Sequence, residues 1–145
     1  MGKIITVRIS EISPGEKGFS ENKLTDIIQA KDSKITLPPP PVREFEGRLV
    51  NLDGRHRIIY RCLRGKSDIR VYLANHPRDY INLTSYKNIL YRDTNAHILF
   101  RWDGAIYTAR SLNFRGYNDH FNFLQTTHEF LKDEKRCRER LGLLN

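Results

Sequence analysis

Cysteine is nearly absent from this chain: Cys62 and Cys137 are the two among 145 residues. Two thiols do not make a disulfide framework in a chain of this length, so a reducing compartment, the cytoplasm, is the expected setting. Long apolar runs are missing as well. Nothing approaches the length of a membrane span and no apolar signal core follows Met1, so no membrane partner is expected. The opening Met1-Gly2-Lys3-Ile4-Ile5-Thr6 fits a loose myristoylation pattern, but Ile4, Val7 and Ile9 read better as a strand. Asn82-Leu83-Thr84 is a glycosylation sequon without a secretory signal to give it meaning. There is no Walker loop, no HExxH and no GxSxG, which argues against P-loop NTPases, zincins and α/β-hydrolases. His120 and His128 stand eight apart with no third ligand at metal spacing, so no protein metal site is expected. Internal repeats are absent too.

Charge is abundant. Lys and Arg number 25 against 17 Asp and Glu, a net +8, with 39% apolar and 29% charged residues. That is an ordinary soluble composition, sufficient for one domain over residues 1–145 with a real core. Residues 1–46 carry seven charges of each sign, so the whole excess lies from Gly47 onward. A basic surface of this kind suits solubility alone or a phosphorylated or polyanionic ligand.

Along the chain, Lys3 to Ile9 is rich in β-branched residues and predicts a strand. Ser20 is a candidate N-cap for a short helix with Leu24, Ile27 and Ile28 on one face. Pro38 to Pro41 cannot lie inside a helix or central strand. They either stiffen the entry to a strand at Val42–Phe45 or present a polyproline ligand. Arg48 to Leu52 predicts a strand and Arg55 to Arg64 a helix stopped by Gly65. Ile69 to Leu73 predicts a further strand, so Gly47–Leu73 reads as one β-α-β unit. On that helix Ile58, Ile59, Cys62 and Leu63 share a side, which makes Cys62 a small core residue. Residues 75–95 show no clean period. Asp103-Gly104 between His97–Trp102 and Ala105–Ala109 predicts a type I′ hairpin. A long helix is expected from His120 towards Leu141, with Phe121, Leu124, His128 and Leu131 at helical spacing.

The turn Asp53-Gly54-Arg55-His56-Arg57 concentrates the chemistry. Bare amides at a helix start and the helix dipole favour an anion there. Gly54 lets backbone approach a ligand, Arg57 offers a forked cation, and His56 can donate to a phosphoryl oxygen or move a proton. The plainer reading is that Asp53 caps the helix and the arginines face solvent.

Pro40-Pro41-Val42-Arg43, the Glu46-Gly47 turn, Leu49 to Leu52 and Asp53-Gly54-Arg55-His56-Arg57 together resemble the ParB/sulfiredoxin superfamily. The similarity covers roughly residues 4–74 and leaves 75–145 as an appended hairpin and C-terminal helix. It implies an α+β fold: a compact domain with a mixed sheet and packed helices. It also implies a nucleoside di- or triphosphate (ATP, ADP or CTP) at Gly54, Arg55, His56 and Arg57. Sulfiredoxins place a catalytic cysteine where Arg55 stands, which disfavours that activity. A ParB-type clamp needs a helix-turn-helix that is not evident here. The turn is closest to the DGHHR of the free-serine kinases, which use an acidic residue after the first strand as base. Glu16 matches it, with Glu21 as fallback. The resemblance therefore implies Mg²⁺-dependent phosphoryl transfer or nucleotide hydrolysis, with Glu16, Asp53 and His56 as catalytic candidates.

The competing expectation is a DNA-binding or DNA-cleaving module. Arg61, Arg64, Lys66 and Arg70 follow the turn, and Phe100, Trp102 and Tyr107 interleave with Arg101 and Arg110 on the expected hairpin. The same aromatics would equally serve to pack that hairpin on the last helix. Nothing in the sequence sets the oligomeric state.

Overall fold

The computed structural model describes residues 2–16, 19–20, 23–24, 26–27, 30, 37–79, 95–112 and 114–127. Within them the elements are β1 (Lys3–Arg8), a 3-10 turn (Ile9–Glu11), β2 (Ile12–Ser13), β3 (Pro41–Phe45) and β4 (Arg48–Asn51). After these come α1 (Arg55–Leu63), β5 (Asp68–Leu73), α2 (Asn95–Leu112) and α3 (Tyr117–Thr127). Lys23, Leu24, Asp26, Ile27 and Ala30 are also helical. Ser20 caps that stretch as expected, its Oγ accepting the Lys23 amide at 3.4 Å.

The strands form one mixed sheet in the order β1-β5-β3-β4-β2. β1 runs antiparallel to β5, and β3 antiparallel to β4. The β3–β5 and β2–β4 pairs are parallel. Strand β4 therefore runs opposite to β5 with β3 between them. The strand–helix–strand from Gly47 to Leu73 is thus not a parallel β-α-β crossover, because β3, lying between its two strands, pairs antiparallel with β4 and parallel with β5. The prolines do stiffen a strand entry. Pro40 O accepts the Tyr72 amide at 3.0 Å and Pro41 O the Leu52 amide at 2.9 Å. That commits the segment to the sheet rather than to a partner.

Helix α1 ends where the sequence says it should. Gly65 sits at φ +71°, its amide bonds to Cys62 O, and the Lys66 amide bonds to Arg61 O. This pair is the Schellman pattern, which a left-handed glycine completes without a Cβ penalty. One sheet face packs Val42, Ile69, Val71 and Leu73 against Ile58, Ile59 and Leu63 of α1 and Leu124 of α3. Burial raises the Cys62 thiol to about 12, as suits a core residue rather than a nucleophile. The other face packs Val50, Leu52 and Ala74 against Ala105, Ile106 and Ala109.

Those last residues belong to α2, so the hairpin expected over 97–109 is a helix. Asp103-Gly104 resembles an I′ turn locally. Ala105, Ile106 and Ala109, however, lie at i, i+1 and i+4 and form a narrow stripe that seats the helix on the sheet. Gly104 lies where a Cβ would meet nothing within 4 Å. Tertiary burial decides the conformation over the local turn signal. The helix expected from His120 begins at Tyr117, three residues earlier. It carries Phe121 and buried Leu124 on the inner side. Its continuation with His128 and Leu131 lies outside the described residues, as do Ile28, Glu21 and Asn82. Arg48 ties the α2–α3 link to the sheet, donating from Nη2 to Ser13 Oγ (2.6 Å), Phe114 O (2.9 Å) and Arg115 O (3.3 Å).

Candidate nucleotide-phosphate site

The parallel β2–β4 pair builds this site. Ile12 faces Leu49 and Ser13 faces Val50, so both strands leave the sheet at the same edge and in the same direction. Three residues beyond Ser13 lies Glu16; three beyond Val50 lies Asp53. The register alone brings the acidic loop to the Asp-Gly turn. The side chains complete it: Arg55, 14% exposed, forms an ion pair with Glu16, 38% exposed.

Gly54 takes the N-cap position in a left-handed conformation, φ +72°, ψ 31°, and no side chain caps α1. Asp53 is therefore not the helix cap. Its Oδ1 instead accepts the Gly54 amide at 2.7 Å, one residue on, which shapes the turn and leaves the first helical turn without a side-chain cap. Arg57 arches back over Gly54. A Cβ there would meet its guanidinium, the movable end of a long side chain, so the need for glycine comes mainly from φ +72°. The Arg57 amide bonds to Gly54 O at 3.1 Å, and its Nη1 donates to Pro38 O.

Beyond Arg57 a cavity of about 460 Å³ opens. Ile4, Ile27 and Ile69 give it apolar walls, Pro38–Pro40 a rigid edge, and Tyr60, Arg61 and Arg70 a polar rim. That volume lies in the range of small-molecule sites.

His56 is placed differently from an open donor. It is 5% exposed, stacks on Phe19 with centroids 5.5 Å apart, and accepts the Ser20 amide at Nε2 (2.9 Å). Burial, then the charges of Arg55 and Lys23, hold its pKa down at about 4. With Nε2 accepting and the ring neutral, the proton sits on Nδ1. Donation through Nδ1 fits this state; carrying a proton at neutral pH does not. Lys23 and Ser20 are the neighbours that sequence reasoning missed here. Ser20 stood out as a cap, but no local pattern links it to a ring 36 residues away.

A lowered folded-state pKa means that the contribution of His56 is present above about pH 6.5 and is lost as pH falls through about 4. Urea melts across that window should show the wild type losing on the order of 3 kcal/mol from this group. His56→Gln, whose amide oxygen can also accept from Ser20, should flatten that loss. Equal slopes for the two proteins would remove His56 as its source.

The basic side chains after the turn have structural partners in part. Arg61 donates to Asp68 O from Nε (3.1 Å) and Nη2 (2.7 Å) and pairs with Asp68 Oδ1 at 3.2 Å. Arg110 stacks over Phe45, 5.0 Å from the ring centre, and meets Glu46 at 3.1 Å. Tyr107 is 83% exposed on α2. The side chains of Phe100, Arg101 and Trp102 lie outside the described residues, and the hairpin that was to display them is a helix.

A five-stranded mixed sheet with helices packed on both faces, one of them launched from a left-handed glycine after Asp53, makes this an α+β domain. Solved structures to which the chain is similar include sulfiredoxin from Arabidopsis thaliana, at 18% identity and TM-score 0.44, covering 51% of this chain and 86% of that one. Another is protein Atu1540 from Agrobacterium tumefaciens, at 12% identity and TM-score 0.40, covering 68% and 58%. A Pnob8-like ParB-N domain gives 10% identity and TM-score 0.46, covering 92% and 52%. The chain thus spans little more than half the length of the last two. No family model matches the sequence, and no curated protein matches it. Among the described residues, no helix is long and apolar enough to cross a membrane.

Proposed function

We propose that this protein binds a nucleoside di- or triphosphate at the start of α1 and carries out phosphoryl transfer or hydrolysis there. The observation that carries the reading is Arg57. Its guanidinium lies over Gly54 at a helix start that no side chain caps, and it also lines a cavity of about 460 Å³. Phosphate oxygens would take the first-turn amides and the guanidinium, while the nucleoside would rest between Tyr60, Ile69 and the prolines. His56 contributes a neutral N–H donor at most.

Glu16 is the base in this scheme. It would accept the proton of an attacking hydroxyl or water as the new oxygen–phosphorus bond forms and the bridging bond to the leaving phosphate breaks. Arg55, paired with it, fixes the carboxylate's position at the turn. Among the described residues no group of three or more His, Cys, Asp or Glu side chains is placed to hold a metal ion. Mg²⁺ brought by phosphates needs only one or two carboxylates, and with Glu16 acting as the base Asp53 would be the one at the turn to hold it. Once bound, the ion would neutralise charge on the moving phosphoryl group.

Titration calorimetry of the pure protein with ATP, ADP and CTP, each with Mg²⁺, tests the binding. Saturable one-site binding of at least one nucleotide is expected. A protein that ignores all three but binds duplex or single-stranded DNA, with affinity falling steeply in salt, would be a nucleic-acid module instead.

A further inference from the structure

We propose that Asn51 and Tyr117 are positioning residues for the phosphate turn, making α3 part of the site rather than an unrelated appendage. The proposal rests on the nucleotide reading above. Tyr117 is fully buried and its hydroxyl donates to Asn51 Oδ1 at 2.7 Å, across 66 residues of sequence. Asn51, 3% exposed, donates from Nδ2 to Pro41 O at 3.1 Å and to Asp53 O at 2.6 Å. Both amide protons and the amide oxygen are thereby used. Rotating the amide by a half turn would set its oxygen against two carbonyl oxygens and its nitrogen against the phenol, so Tyr117 and the carbonyls fix one orientation.

The consequence reaches Gly54. The Asp53–Gly54 peptide is held on its carbonyl side by Asn51 and on its amide side by the Asp53 carboxylate. A peptide clamped at both ends fixes the left-handed turn, and with it the direction in which the first α1 amides point. Packing alone does not call for this. A phenylalanine at position 117 would fill the same core volume, whereas the hydroxyl serves only the Asn51 amide. Burial holds the Tyr117 phenol well above its usual range, so it stays a donor wherever the chain is folded. Two glycines bring the elements close enough. A Cβ on Gly116 would overlap the Ser10 backbone, and one on Gly15 would overlap Asn51 O. The second close approach also sets the Glu16 loop directly against Asn51.

The test compares Tyr117→Phe with Leu124→Ala, a change on the same helix that removes volume from the same core cluster but leaves the Tyr117 hydroxyl and the Asn51 amide in place. In the nucleotide-free protein, Tyr117→Phe should shift the Gly54 and Arg55 amide resonances and speed their hydrogen exchange, while Leu124→Ala should not. Under conditions where all three proteins are folded, Tyr117→Phe should weaken nucleotide binding by roughly ten-fold, the size of one lost hydrogen bond. Leu124→Ala should bind as the wild type does. In an Arg57→Ala background, Tyr117→Phe should still cost a similar further factor, because the clamp acts through the turn amides, which that change leaves in place. Unmoved turn amides in Tyr117→Phe, or equal weakening by Leu124→Ala, would overturn the relay. Wild-type protein that binds no nucleotide would instead overturn the phosphate reading, and the amide shifts would still decide whether the clamp exists.

Discussion

Arg57→Ala should weaken nucleotide binding about a hundred-fold while the protein remains folded. A charge-assisted fork on a phosphate is among the stronger polar contacts a protein makes, and here two features would focus it. The guanidinium is held over Gly54 by the turn, and its Nη1 is steadied by Pro38 O, so little rotamer freedom is left to lose on binding. Arg57→Lys keeps the charge but not the planar fork. It should fall between the two, roughly ten-fold weaker than wild type. Calorimetry at fixed ionic strength, paired with thermal melts, separates this effect from instability. A melt that stays cooperative shows that the variant is folded, and the hydrogen bond to Pro38 O by itself contributes only about 1 kcal/mol. Unchanged affinity in Arg57→Ala would take the guanidinium out of the site.

Glu16→Gln should have the other large effect, and on a different quantity. Turnover should drop by roughly a hundred- to ten-thousand-fold with nucleotide affinity nearly preserved, because the carboxylate is needed when the acceptor loses its proton. Position is what separates Glu16 from an ordinary solvated loop glutamate. The β2–β4 register delivers it to the turn, and Arg55 holds it there. Glutamine keeps the shape and can still accept from Arg55, so the fold should survive. Steady-state phosphate release or acceptor phosphorylation reads the result. Full turnover in Glu16→Gln would exclude it as the base, and a rise in KM with unchanged kcat would make it a binding group instead.

These effects also show which parts of the architecture the sequence displays. Ser20 and Gly65 announce helix ends because capping is local chemistry, settled within four residues. The Asp53–Arg57 turn is legible for the same reason. Asp103-Gly104 misleads because an I′ turn and a tolerated helical glycine look alike until one knows that Ala105, Ile106 and Ala109 face Val50 and Leu52. The meeting of Glu16 with Arg55 depends on β2, a strand of two residues, too short to leave a period-2 pattern. Resemblance pointed to Glu16; only the parallel register explains why it arrives. His56 reads from the sequence as a phosphate donor or a proton carrier, and its burial follows from Phe19 and Ser20, which no spacing rule connects to it. The Tyr117–Asn51 bond is longer still in sequence and invisible to any local window.

An amide proton–nitrogen NMR titration with Mg²⁺-nucleotide puts the question to the turn itself. The amides of Gly54, Arg55, His56 and Arg57 should move first and furthest, with Tyr60 and Ile69 following as the nucleoside fills the cavity. Changes confined to the exposed stretches around Arg64, Lys66 and Tyr107, with the four turn amides still in place, would mean that phosphate does not bind at the start of α1.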